Sequence, residues 1–428
     1  MTLEKGNKKL INAWAFYDWA NSAYPLVITT AIFPIFYEAV TSTKNADGTI
    51  ISDMVQLWGM DFKNTELYSY IVALSFIIVS ISSPILSGIA DYSGLKKRFM
   101  QFYCYLGALA CASLYFFSNA YLGWGALSIL LASVGFWGSL VFYNAYLPEI
   151  AEPVDHDKVS AKGYAWGYIG SVLLLIINLI LIKVYDMNVR YSFVFVALWW
   201  VGFSQITFFN LPNEKKHSTN NKNVFLNGFK ELWKVWNELK QIKQLKRYLA
   251  SFFFYSMGVQ TVLLMAVLFA KKEIKGLEDA NLIMSVLMIQ FLAIAGSYLF
   301  SFSSRKIGNI KTLGMILVIW VSVCIGTYAF VYTPLGFYAV ACSVGLIMGG
   351  IQSLSRSTYS KLLPITNDTT SYFSFYDVLE KIGIVIGMFS FGFIERVSGG
   401  MRNSILALIT FFIIGFAILL TIPQKEKQ

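Results

Sequence analysis

The sequence predicts an all-α membrane protein of twelve transmembrane helices in two six-helix halves, and three observations carry that prediction. Of 428 residues, 56% are hydrophobic and only 14% charged, where soluble domains run to roughly a quarter charged. Apolar runs of about 20 residues, long enough to cross about 30 Å of hydrocarbon at about 1.5 Å per residue, recur twelve times. Local marks at the ends of the second and fourth runs return half a chain later, the signature of a duplicated unit. The polar stretches between runs are too short to fold alone, so the chain is read as one membrane domain.

The first run, 11–38, is too long for the apolar core of a signal peptide and has no Ala-x-Ala cleavage site. It stays as a span, with Asp18 and Asn21 inside it. A polar connection, 39–65, follows with Asp47, Asp53 and Asp61, and no chemistry is read in it. Spans two and three, 66–90 and 98–118, are joined by Gly88-Ile89-Ala90-Asp91-Tyr92-Ser93-Gly94-Leu95-Lys96-Lys97-Arg98. Span four, 122–147, ends in Tyr143 to Pro148, and spans five and six occupy 163–184 and 190–211. These make an N-terminal half, 1–211.

Residues 212–247 form a linker between the halves. After a polar opening, Phe225, Phe229, Leu232, Trp236, Leu239, Ile242 and Leu245 recur at three- and four-residue steps, with Lys230, Lys234, Lys240, Lys243 and Lys246 on the other faces. That pattern predicts an amphipathic helix on the membrane surface, either a strap or the site of a regulatory partner. Spans seven to twelve, 248–270, 280–302, 312–331, 335–360, 371–394 and 402–422, make a C-terminal half, 248–428. After span eight, Ser304-Arg305-Lys306-Ile307-Gly308-Asn309-Ile310-Lys311 is a fainter echo of the glycine turn, and Tyr359 to Pro364 echoes Tyr143 to Pro148.

An even number of spans puts both termini on one side, and the segments on that side hold 23 Lys and Arg against nine opposite. This predicts cytosolic termini in a multi-pass protein of the cell membrane, and the short loops suggest a bacterial inner membrane. The net charge of +10 lies beside the spans, where it meets anionic lipid, so nucleic acid is not an expected partner. Cys104, Cys111, Cys324 and Cys342 all fall in apolar runs and read as small buried side chains, neither a disulfide set nor a metal site. No Gly-x-Ser-x-Gly, His-Glu-x-x-His or phosphate loop is present, and no connection is long enough to hold a nucleotide. A monomer that is not an enzyme, with no cofactor and no metal, is expected.

Two constellations carry the chemistry. Gly88, Asp91, Gly94, Lys96, Lys97 and Arg98 suit a gate. The glycines allow a tight turn and close helix approach, and the acid can take a helix N-terminus or a cation in a contact that breaks as the halves rock. The alternative is a topological anchor that does not switch. The second set is Asp18, Arg356, Glu380 and Lys381, all inside spans at comparable depth in the inner half of the membrane. A carboxylate in hydrocarbon costs about 2.5 kcal/mol or more, and such groups persist when paired or facing a water-filled cavity. A mixed acid and base cluster around a central cavity is expected, with Gln352 one turn from Arg356 and Asn21 three residues from Asp18. Asp18 either binds and couples, or locks span one in a fixed pair with Arg356 or Lys381. His156 and His217 fall in loops, so a proton path inside would use carboxylates, Asp18 and Glu380 first.

With twelve spans and a half-length repeat, the glycine turn resembles the signature of the major facilitator superfamily, in which spans one, seven and ten border a central cavity. That resemblance implies Tyr255, Gln260 and Gln352 as further lining groups. Tyr17-Asp18-Trp19-Ala20-Asn21-Ser22-Ala23 is similar to the first-helix motif of the autophagy-related vacuolar amino-acid effluxer family and its bacterial relatives. Phe142 to Ile150, Val159 to Gly170 and Gly349 to Ser357 extend the resemblance over both halves, and Arg356 and Lys381 belong to it. It implies export of amino acids. The expected function is a secondary active transporter that moves a small polar or zwitterionic solute, an amino acid or short peptide, by alternating access, with protons as candidate partner. An acid and a base facing one cavity suit an ammonium and a carboxylate. The alternatives are a carrier of amphiphiles or cell-wall fragments with the same fold, and a non-transporting receptor or scaffold that uses 224–247.

Overall fold

The computed structural model describes residues 5–45, 50–212, 224–274, 276–277 and 279–423. Asp47, His217 and the polar opening of the linker lie outside the described residues. The first helical span, α1 (Lys8–Thr41), departs from the plain helix expected over 11–38. Lys8–Asn21 and Phe33–Thr41 are α-helical, but Tyr24–Ile32 between them is a π-helix. Pro25 has no N–H to give, and its carbonyl is taken by the hydroxyls of Thr29 at 2.6 Å and Thr30 at 2.8 Å. The backbone ladder therefore widens at this point.

The connection that follows is not structureless. Strands β1 (Thr43–Lys44) and β2 (Ile50–Ser52) pair antiparallel, as do β3 (Met54–Leu57) and β4 (Met60–Lys63). The second hairpin turns through Trp58 and Gly59, both at positive φ, as a two-residue primed turn requires.

The remaining helices are α2 (Asn64–Ser93), α3 (Lys96–Ser113), α4 (Leu122–Ala145), α5 (His156–Val184) and α6 (Arg190–Asn210), then α7 (Val224–Gln241) in the linker. After it come α8 (Lys243–Glu273), α9 (Asp279–Ile307), α10 (Asn309–Phe330), α11 (Pro334–Leu362), α12 (Thr369–Ser398) and α13 (Ile405–Leu420). Among the described residues, eleven helices are long and apolar enough to cross a membrane. The twelfth expected span is α12, which is 30 residues long but carries Asp377, Glu380 and Lys381 along its length. Gly94 and Gly308, half a chain apart, take φ of 67° and 91°. Both repeat turns thus need glycine, the one residue free of a Cβ penalty there.

Each half has its own apolar core. One is drawn from residues 14–211, the other from 235–422 with Ala145 and Tyr168. Large side chains such as Ile81, Leu109, Phe209 and Phe389 remain exposed on the outside of the bundle, where lipid covers them. Between the halves, α2 packs on α12, and α5 on α9 and α11.

The linker helix α7 lies against protein. A Cβ on Gly88 would collide with the Gly228 carbonyl, so this glycine serves the approach of α7 to α2. Val235 and Leu239 are buried. Asn227 donates to the Tyr92 hydroxyl at 2.8 Å on one half, while Lys234 pairs with Asp368 at 2.9 Å and Tyr372 donates to Glu238 at 3.0 Å on the other. Hydrogen bonds to Glu231 and Asp368 hold the Lys234 ammonium above the usual lysine range. Leu226, Phe229 and Trp233 stay exposed on the opposite side.

Candidate functional site

Between described residues, every side-chain hydrogen bond that joins residues 1–211 to 248–428 lies in the half of the bundle nearer the termini. Two of these contacts mirror each other across the repeat. Asp91, in the last turn of α2, accepts the backbone N–H groups of Thr370 at 3.2 Å and Ser371 at 2.7 Å, so an acid of one half caps the start of α12 in the other. In the second contact the acid sits on the helix instead. Asp157, in the first turn of α5, accepts from Ser304 at 2.7 Å, Asn309 at 2.7 Å and Lys361 at 2.6 Å. The echo turn is faint because its acid comes from the partner helix.

The other members of the gate motif divide. Lys96 is fully buried, pairs with Glu149, and donates to Thr369 at 3.0 Å, while Thr369 donates to Glu149 at 2.5 Å. Lys97 stays within its own half, donating to the Leu211 carbonyl at 2.8 Å, and Arg98 is exposed.

Further in, α1, α4, α5 and α11 converge on one guanidinium. Arg356 donates through Nε to Ser160 Oγ at 2.9 Å, through Nη1 to Asp18 and Asn144 at 3.2 Å each, and through Nη2 to Asp18 at 3.2 Å and the Ser160 carbonyl at 2.9 Å. All five of its N–H groups are used. Tyr143 also donates to Asp18, at 2.7 Å. The rings of Trp14 and Tyr164 lie 4.8 and 4.1 Å from the guanidinium carbon. Gly163 is part of this packing, since a Cβ there would strike Asp18 and Arg356.

Lys381 is not a partner of Asp18, and the expected single cluster is two separate groups. Lys381 is fully buried against the Trp137 ring at 3.9 Å and donates to Asp377 at 2.6 Å and to Glu380 at 3.1 Å. Asp377 was not among the expected site residues. Its four-residue spacing from Lys381 was the available signal.

Above these groups, between the halves, lies a cavity of about 20 Å³, room for about one water. Tyr255, Gln260, Gln352 and Glu380 line it, with Tyr164, Ser355 and Tyr376. Gln260 donates to Glu380 at 2.9 Å, Tyr168 donates to Gln352 at 2.6 Å, and the Tyr255 hydroxyl meets Ser355 Oγ at 2.8 Å. Asp18 and Arg356 sit beneath the cavity, on the side of the termini, and Lys381 sits behind Glu380. Asn21 is buried just before the π-helical segment, with its Nδ2 unpartnered.

Known proteins are similar to this chain in sequence and in architecture. The profile of the family described as "Vacuole effluxer Atg22 like" matches residues 6–156 and 152–428. Over 425 residues the chain is 29% identical to the uncharacterized MFS-type transporter YxiO of Bacillus subtilis, spanning 97% of this chain and 95% of that protein. It is 23% identical over 463 residues to autophagy-related protein 22 of Kluyveromyces lactis, spanning 96% and 92%. Its fold is similar to the crystal structure of the human organic anion transporter MFSD10, with a TM-score of 0.73 at 10% identity over 97% of this chain and 100% of that one. Against a major facilitator transporter, FucP, in the outward conformation, the TM-score is 0.69 at 14% identity, over 98% and 99% of the chains.

Proposed function

Because the chain belongs to the Atg22-like vacuole effluxer family, we propose a substrate class and a mechanism for it within the major facilitator fold. It is a multi-pass membrane transporter and not an enzyme. The solute is a small zwitterion, an amino acid or short peptide, moved by alternating access of halves 1–211 and 248–428 with protons as the coupling ion. Export is the favoured direction, in keeping with the family description. The excess of Lys and Arg on the side of the termini supports a cytosolic assignment for that face and a bacterial inner membrane. The chain works as a monomer, because the two halves that alternating access requires are already joined in one polypeptide.

The observation that carries this reading is the lining of the cavity. Glu380 offers a carboxylate to an ammonium, while Tyr164, Tyr255, Gln260 and Gln352 offer hydroxyl and amide donors to a carboxylate. Arg356, with all five N–H groups engaged below, acts in the closed contact between the halves instead of in the cavity. Asp18 therefore belongs to the gate.

Reconstituted protein should take up a labelled amino-acid mixture under a pH gradient and ignore lysophospholipid. Glu380→Gln should reduce that uptake about tenfold or more, the loss expected for one charge-assisted hydrogen bond. Uptake unchanged by Glu380→Gln would remove Glu380 from solute recognition, and preference for lysophospholipid would replace the zwitterion.

A further inference from the structure

We infer that the proton-carrying acid of this transporter is Asp377, loaded from the cavity through Glu380 and Lys381 and discharged along the seam between α2 and α12. The role in transport rests on the proton-coupled reading above, whereas the acid itself can be observed without any solute.

The two buried charge groups differ in their balance. Asp18 and Arg356 match one to one, and Asp18 receives three hydrogen bonds. Nothing there calls for a further positive charge. Around Lys381, two carboxylates share one ammonium. With all three groups ionised, one negative charge is left over where water is excluded, a costly arrangement.

The excess falls on Asp377. Glu380 touches the cavity and has Gln260 as a second donor. Asp377 is 4% exposed; its Oδ1 takes Lys381, and its Oδ2 is enclosed with no partner at all. A buried carboxylate oxygen without a donor is unfavourable. A proton on Oδ2 removes the unpaired charge and turns the orphan acceptor into a donor.

Lys381 bridges the two acids and keeps its cation against Trp137 throughout. Lys381 gives a proton to Asp377 Oδ1, takes one from the Glu380 carboxylic acid, and a turn of the Asp377 carboxyl group carries the new hydroxyl to the Oδ2 position. Asp377 ends protonated, Glu380 ends ionised, Lys381 is again an ammonium, and the net charge is zero before and after.

The exit is written in two stripes, one on each of two packed helices, joined at Asp91. On α12, Ser371, Ser374, Asp377 and Lys381 recur at three- or four-residue steps and are buried, as is Thr370 beside them. On α2, which packs against it, Ser83, Ser87 and Asp91 follow at four-residue steps and are buried too. The hydroxyls of Ser83 and Ser87 have no partner. Buried hydroxyls left open between an acid and the end of a seam nearer the termini are what a short proton chain uses.

The other titratable groups around the three residues are tyrosines. Tyr103 of α3 stands near Asp377, and Tyr164 of α5, Tyr255 of α8 and Tyr376 of α12 stand near Glu380. Tyrosines are neutral near pH 7. From α4 comes Trp137, and α13 brings no charged residue. Asp91, Lys96 and Glu149 close the far end of the seam, and Glu238 of α7 reaches Tyr372 there. Charge in the middle of the seam is thus set by Asp377, Glu380 and Lys381.

Infrared spectra of the purified protein in phosphatidylethanolamine and phosphatidylglycerol nanodiscs, titrated in pH with protons as the probe, decide the matter. The wild type should show a buried carboxylic-acid band that disappears on raising the pH. Asp377→Asn should lose that band, Asp18→Asn should retain it, and Asp377→Glu should restore it at a shifted frequency. Persistence of the band in Asp377→Asn, its loss in Asp18→Asn, or an unshifted band in Asp377→Glu overturns the assignment. Asp377→Glu keeps the charge and carries the test should Asp377→Asn not fold. Ser87→Val should slow deuterium exchange of the band, and an unchanged rate overturns the route along α2. A carrier that takes up no amino acid yet shows the band disproves the solute and leaves Asp377 standing. Uptake without the band does the reverse.

Discussion

Arg356 spends its whole donor set on the opposite half, so it is the side chain whose counter-charge matters most. Asp18→Asn leaves that guanidinium buried without one. Removing one member of such a pair costs about 3–5 kcal/mol, whereas replacing both with apolar groups is near neutral. Thermal unfolding in detergent should therefore show Asp18→Asn clearly destabilised and Asp18→Asn with Arg356→Met largely recovered. A double variant no better than the single would mean that the pair is not the reason for the loss. Gly163→Ala should be destabilised in the same assay, since the added methyl strikes both partners. The cost of these charges was legible in the sequence, and so were two possible bases for Asp18. Which base faces it was not, because Arg356 and Lys381 lie on different helices whose rotation no local pattern specifies. Asp377 lies near the start of the span 371–394, and its enclosure by α2 and α12 is a property of the packing that no local pattern specifies.

Among the helices, α7 departs furthest from its simplest reading. An apolar stripe on a basic helix points to lipid, yet Val235 and Leu239 of that helix enter the protein core, Glu238 reaches Tyr372 of α12, and Lys234 reaches Asp368 just before it. Gly228→Val should force α7 away from α2, and hydrogen exchange of the α7 amides should accelerate while that of α5 does not. Equal exchange in both proteins would show α7 held by other contacts. Lys234→Ala should change stability by about 1 kcal/mol or less, because its side chain is 54% exposed and exposed pairs contribute little. Span positions came from run length alone. The π-helical turn at Pro25 and the hairpins before α2 did not, since a lost backbone donor and a short alternation leave weak traces in composition.

For the whole molecule, twelve spans, two halves and the family were legible because run length, the repeat and the motifs agree. The tilt of the halves was not, since it is a property of contacts between distant segments. Those contacts hold the side of the termini shut, through Asp91 and Asp157 at its two seams. Asp91→Asn with Asp157→Asn should weaken both. A cysteine introduced at Ser355, beside the cavity, should then react with a maleimide applied from that side about tenfold faster or more, the scale of one lost charge-assisted bond. Cys104, Cys111 and Cys324 are buried, and the partly exposed Cys342, in the turns of α11 far from the termini, is replaced by serine to keep the background low. Unchanged labelling would mean that other contacts keep the halves together. A plug of side chains gathered at one end also bears on the energy supply of the cell. While that plug is closed, a hydrated ion that enters the cavity meets packed side chains on the side of the termini, and the membrane potential is spared a leak of any ion that side chains cannot hand on.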